Sequence, residues 1–131
     1  MASWRLDYTS ALQAWDADRI VASLAEDVVI RVAVHDAPMK GRKTARFLFG
    51  VLSEELSRPS VTDEIVESDR AVVLFETSIA ERAAQGLNVL TFDERGTIHE
   101  LTVFFRPLES LQRIAEVVGA RMAAQFGAPP E

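Results

Sequence analysis

The run "DVVIRVAVHDAPMKG" at residues 27–41 ends with His35 next to Asp36, and an imidazole beside a carboxylate can move protons near neutral pH. Two facts weigh against that chemistry. Neighbouring residues on a strand point to opposite faces, and the run is leaving the sheet toward Pro38, so the plain reading is a solvated loop. Asp36 becomes a working acid only if that loop folds over the mouth of a cavity. Tyr8 and Asn88 are further polar groups in apolar surroundings. The phenol shares a helical face with Leu12 and Trp15 and needs a partner when buried. The amide, between Leu87 and Val89, has up to four hydrogen-bonding positions to satisfy. Tyr8 reads first as a core tyrosine and second as a ligand contact; Asn88 reads equally as either.

Glu76, in "AVVLFETSIA", would serve as a base if it faced a cavity. Alternation puts Val73, Phe75 and Thr77 on one face and Val72, Leu74 and Glu76 on the other, which sends Glu76 outward. Arg31 is expected to pair with an acid on the outer side of the sheet or at a subunit contact. His99 opens the final strand, where strict alternation would align it with Leu101, Val103 and Phe105, although a turn beside it can shift that parity. With two histidines and no cysteine, a metal site would need mostly carboxylates, and no motif for one is present. Nor is there a glycine-rich phosphate loop, a nucleophile elbow or a nucleotide fingerprint. No cofactor is expected.

The elements that position these residues follow from periodicity. Trp4, Tyr8, Ala11, Leu12 and Trp15 recur at helical spacing, with Ser3 as N-cap, and Ile20, Val21 and Leu24 give a second, shorter helix. From Val28 the period becomes two and runs to His35, with Val28, Ile30, Val32 and Val34 on one face. Phe47, Leu48, Val51 and Leu52 mark a third helix ending near Leu56, broken by "SRPS". "VTDEIVES", "AVVLFETSIA", "LNVLTF" and "TIHELTVFF" then read as an antiparallel sheet, with a tight hairpin at "DERG". Pro107 suits a helix start, and Leu111, Ala115, Val118 and Met122 mark the face of a C-terminal helix. Helices first and a curled sheet after give an α+β fold of one domain, residues 1–131, with 127–131 as a frayed tail.

The chain is 48% hydrophobic and 26% charged with a net charge of −6. That composition is globular, and the negative surface repels nucleic acid and anionic lipid. No run approaches the length of a membrane span and "MASWRLDYTS" lacks the apolar region of a secretory leader, so a cytoplasmic protein without nucleic-acid or membrane partners is expected.

The series "Tyr8 … AEDVVIRV … APMKGR … LNVLTFDERGTIHELTVFF" resembles the NTF2-like superfamily, close to its SnoaL-like polyketide cyclase and ketosteroid isomerase branches. The matching pieces are Ala25-Glu26-Asp27, Pro38 with Gly41-Arg42, and Phe92 to Gly96, within residues 5–106. The resemblance implies a cone-shaped, cystatin-like fold: a curved, mostly antiparallel sheet wrapped around the N-terminal helices, plus a C-terminal helix. It also implies roles. Tyr8 falls where ketosteroid isomerases place a tyrosine oxyanion donor, and Asn88 where they place a protonated aspartate. Their general base, an aspartate, is matched by Val32, and the tyrosine supporting the first donor by Phe49. A valine accepts no proton, and general-base catalysis is worth roughly 10² to 10⁴ in rate, so the isomerase reaction run that way is expected to be absent.

The leading expectation is therefore a cone cavity holding a small, largely apolar molecule with a carbonyl or hydroxyl oxygen. Its lining would come from Leu12, Ile30, Val32 and Leu48 on one side and Phe75, Leu101, Val103 and Phe105 on the other, with Tyr8 and Asn88 as the polar contacts. An alternative is an isomerase, cyclase, dehydratase or hydrolase in which Tyr8 and Asn88 polarise a carbonyl and Asp36 moves protons. A third is a dimeric interaction module with a filled cone. The resemblance implies a homodimer through the outer sheet face, where Val29, Val72, Leu74 and Val89 would meet a second copy.

Overall fold

A computed structural model describes residues 4–127; Ser3 and residues 128–131 of the expected tail lie outside them. The chain runs α1 (Asp7–Ala14), α2 (Ala17–Ala22), β1 (Leu24–Arg31), β2 (Met39–Lys40), α3 (Arg42–Glu55), β3 (Ser60–Glu67), β4 (Arg70–Ile79), β5 (Arg82–Phe92), β6 (Ile98–Arg106) and α4 (Leu108–Phe126). Six strands form one curved sheet in the order β2-β1-β6-β5-β4-β3. All neighbours are antiparallel except β1 and β6, which run parallel from Leu24 opposite Ile98. The fold is the expected α+β.

The alternation read from the sequence sorts the long strands correctly. Ala71, Val73, Phe75, Thr77 and Ile79 of β4 are buried, while Glu76 is exposed, because a strand with one core face turns alternate side chains to solvent. The first strand needs correction: it spans Leu24–Arg31 and stops before Val32. Its ladder with β6 ends at Arg31 opposite Thr102, so residues 32–38 have no partner strand and leave as a loop. Val32 and Val34 are thus placed by that loop and not by strand parity. His99 is likewise moved by a register shift between β5 and β6, where Thr91 faces Glu100 and Phe92 faces Ile98. This bulge breaks the alternation that would have aligned His99 with Leu101.

Two anchors hold the helices on the sheet. The Glu64 carboxylate of β3 accepts the backbone N–H groups of Arg5 (2.7 Å) and Leu6 (3.1 Å) and the Thr9 hydroxyl (2.5 Å). It therefore places a negative charge at the positive end of α1, where Leu6 itself offers no side-chain cap. At α3, Gly41 takes φ 90° at the N-cap and donates to the Val28 carbonyl at 2.8 Å. Arg42 Nε reaches the Leu24 carbonyl, also at 2.8 Å. Helix α4 lies antiparallel to α3: Phe126 meets Phe47 edge-on at 5.4 Å, and Arg121 pairs with Glu54 and Glu55 at the other end.

Candidate functional site

On the inner face of β5, Asn88 sits between Val73 of β4 and Val103 of β6. Tyr8 reaches it from α1, and the phenol donates to Asn88 Oδ1 at 2.7 Å. The two residues are 1% and 2% exposed. Burial pushes the phenol's pKa well above its ordinary value, since a phenolate has no counter-charge there. The two groups matched to oxyanion donors are therefore each other's partner, sealed in the core with Leu12, Ile30 and Leu101.

Phe75 and Phe105 are placed differently. Their rings meet edge-on at 5.9 Å across Gly86, whose register partners they are on either side. A Cβ at Gly86 would lie 2.5 and 2.7 Å from two Phe75 ring carbons, so the bare backbone makes room for the aromatic pair.

A cavity of about 520 Å³ opens between α4, α3 and the loop after β1. Val32, Leu48 and Val103 of the expected lining border it; the other seven expected contacts, Tyr8, Leu12, Ile30, Phe75, Asn88, Leu101 and Phe105, do not. The reason lies in α4. Ile114, Val118 and Met122 are the buried spine of that helix, with Ile114 in place of the expected Leu111. Beside the spine, Ala115, Gly119 and Ala123 recur every four residues along one face and also border the cavity. Three side chains of at most one carbon keep the helix from filling the space beneath it. That spacing was readable in the sequence, but Ala115 alone was assigned to the helix face and the deeper cone was taken for the cavity.

Polar groups are few in this wall. Thr44, from the first turn of α3, lies one and two turns before Leu48 and Leu52 on the same bordering face; Lys40 comes from β2, and His35 from the loop. His35 Nδ1 is buried with no hydrogen-bond partner. Sequence reasoning assigned this histidine to a solvated loop and kept Asp36 as the substitute acid. The structure reverses them: the loop does border the cavity, His35 lines it, and Asp36 is exposed outside the lining. Glu76 faces solvent beside Gln85, and Arg31 pairs with Glu100 at 3.4 Å on the outer side. No carboxylate borders the cavity, and no group of three or more His, Asp or Glu suited to a metal occurs among the described residues.

No protein-family model matches the chain, and no curated protein matches it. Solved structures do. An uncharacterized bacterial protein with a cystatin-like fold from Silicibacter pomeroyi superposes with a TM-score of 0.83 at 23% identity, over 92% of this chain and 86% of that one. A steroid delta-isomerase from Pseudomonas aeruginosa gives 0.80 at 21%, over 92% and 90%. An epoxide hydrolase/cyclase-like enzyme in pyran ring formation of the polyether salinomycin gives 0.62 at 18%, over 79% and 87%. The fold is cystatin-like and NTF2-like. Within that NTF2-like frame, Val32, the residue matched to the isomerase base, borders the cavity as an aliphatic group, and none of its fellow lining residues is an acid.

Proposed function

We propose that the protein binds a small, largely apolar molecule carrying an oxygen function in the cavity between α3, α4 and residues 32–40, and that it does so without an isomerase-type base. The observation that carries this reading is the wall itself: about 520 Å³, mostly aliphatic, with no carboxylate. Cavities of roughly 300–1,000 Å³ hold drug-sized ligands, and burial at about 25 cal/mol per Å² of apolar surface supplies the affinity. That a steroid delta-isomerase and an epoxide hydrolase/cyclase-like enzyme share the fold is consistent with an apolar guest.

Gly119 supplies the test. An added Cβ there meets no atom within 4 Å, and the glycine lies on the helix face that borders the cavity. Gly119→Leu should lower affinity for the neutral dye N-phenyl-1-naphthylamine at least tenfold, measured by fluorescence titration. The fold should be kept or gain about 0.5–1 kcal/mol, because glycine is a poor helix former. Undiminished dye binding in a folded variant would refute the reading.

The same protein is proposed to pair through the outer face of its sheet. Leu74, Leu87 and Phe104 are register neighbours there, as are Ile65, Val72 and Val89, and Ile65 and Phe104 are 58% and 51% exposed. Val29 of β1 is half-buried on its own strand. A contiguous apolar patch of this kind suits an isologous contact. Sedimentation equilibrium should give a dimer for the natural sequence and a monomer for Phe104→Asp; a monomeric natural protein would count against it.

A further inference from the structure

Resting on the outer-face pairing proposed above, we propose that the sheet selects a second copy of itself by charge. The two copies meet about a two-fold axis running along β5, with Glu76 of each against Arg106 of the other and Arg70 of each against Glu100 of the other. The strand register carries this. Across β4, β5 and β6, the outer-face rows are Glu76, Gln85 and Arg106 at one end and Arg70, Thr91 and Glu100 at the other. Between them lie Leu74, Leu87 and Phe104, then Val72, Val89 and Thr102. The patch is apolar in the middle and charged at its corners, with signs that alternate around it. Six residues of rise and two strand spacings make it about 20 by 10 Å. Gln85 orders one end, accepting from the Arg106 guanidinium and donating to the Glu76 carboxylate at 3.4 Å. Glu76, Arg70 and Arg106 make no ion pair among the described residues, and Glu100 pairs with Arg31 alone.

In an isologous contact each side chain meets the image of another under one rotation. An axis along β5 exchanges β4 with β6, so opposite charges meet at all the corners. Phe104 then covers Leu74 of the other copy, Leu87 and Val89 meet their own images, and the exposed Ile65 falls on the aliphatic stem of Arg31. An axis across the strands also brings opposite charges together, but it sets Phe104 on Thr102 and Ile65 on Asp63. A diagonal axis, which crosses the two sheets at right angles, brings like charges together. The apolar centre favours contact of any kind; the corners exclude the wrong dockings, because like charges held face to face are repulsive.

Glu76→Arg and Arg106→Glu, each made alone, turn both symmetry-related contacts of that pair into like-charge contacts. In sedimentation equilibrium at low salt each variant should self-associate about tenfold more weakly than the natural sequence. An equimolar mixture of the two variants should associate within about threefold of the natural sequence, because the mixed dimer alone restores opposite charges at both places. That recovery is its own folding control, since an unfolded variant cannot restore the other. An axis across the strands would give no such recovery, because Arg70 and not Arg106 would then face Glu76. A mixture no tighter than either variant alone overturns the charge register, as do single variants that pair like the natural protein; in both cases a dimeric natural protein leaves the outer-face pairing standing. A monomeric natural protein overturns the pairing itself.

Discussion

Tyr8→Phe should lower stability by about 1–3 kcal/mol, because it strips a fully buried Asn88 carbonyl oxygen of its donor at 2.7 Å and gives no replacement. For a domain of this length that is about 3–5 °C in Tm per kcal/mol. Asn88→Leu should cost a similar amount, since it leaves the phenol O–H unpaired. The double variant should be less destabilised than the sum of the two, by about 1 kcal/mol or more, because no orphaned polar atom remains. Additive losses in urea denaturation would mean that the two side chains do not act as a pair.

The same residue gives a pH signature. Tyr8 is the one tyrosine in the chain, so tyrosinate absorbance reports on it alone. Folded, the buried phenol stays neutral with its pKa raised by desolvation; unfolded, it ionises near pH 10. The stabilisation is therefore complete below about pH 10 and declines above it, by up to about 1.4 kcal/mol per pH unit. Tyrosinate absorbance should appear only as the chain unfolds, and Tyr8→Phe should remove that part of the alkaline loss. Reversible ionisation near pH 10 with the fold intact would show the phenol open to water.

Gly86→Ala should be the most damaging single-carbon addition in the sheet, at about 1–3 kcal/mol. The new methyl would lie 2.5 and 2.7 Å from Phe75 ring carbons and 3.0 Å from a ring carbon of Phe105. The rings can yield only by abandoning their edge-on contact, worth about 0.5–1.5 kcal/mol beyond area burial. Adding Phe75→Leu to Gly86→Ala should recover part of the loss, because the smaller side chain clears the space above the backbone. If Gly86→Ala melts with the natural protein, the close approach of Phe75 is wrong.

Strand parity and helix period were enough to read the α+β class and the inner face of each long strand from the sequence, since β4 and β5 each bury one face and a slip of one residue would invert it; the cone-shaped, cystatin-like form came from the family resemblance. Glu76 was turned outward on that argument alone. The cavity was harder. Its wall depends on where β1 ends, and the end of β1 is set by its pairing with β6, some seventy residues later. No local signal in "DVVIRVAVHDAPMKG" says that the ladder stops at Arg31, so His35 and Asp36 could not be assigned to inside and outside. The bulge at His99 escaped parity for the same reason. Tyr8 and Asn88 were singled out correctly as buried polar groups, but their mutual bond spans 80 positions and no spacing rule reaches that far.

The parallel seam between β1 and β6 also bears on how the molecule is made. Leu24 meets Ile98, Tyr8 meets Asn88, and Thr9 meets Glu64, so α1 and β1 find partners 55 to 80 positions further along the chain. Contacts this remote in sequence slow folding. During synthesis, α1 lacks the Glu64 carboxylate until β3 is made, and the Tyr8 phenol lacks its partner until β5 is made.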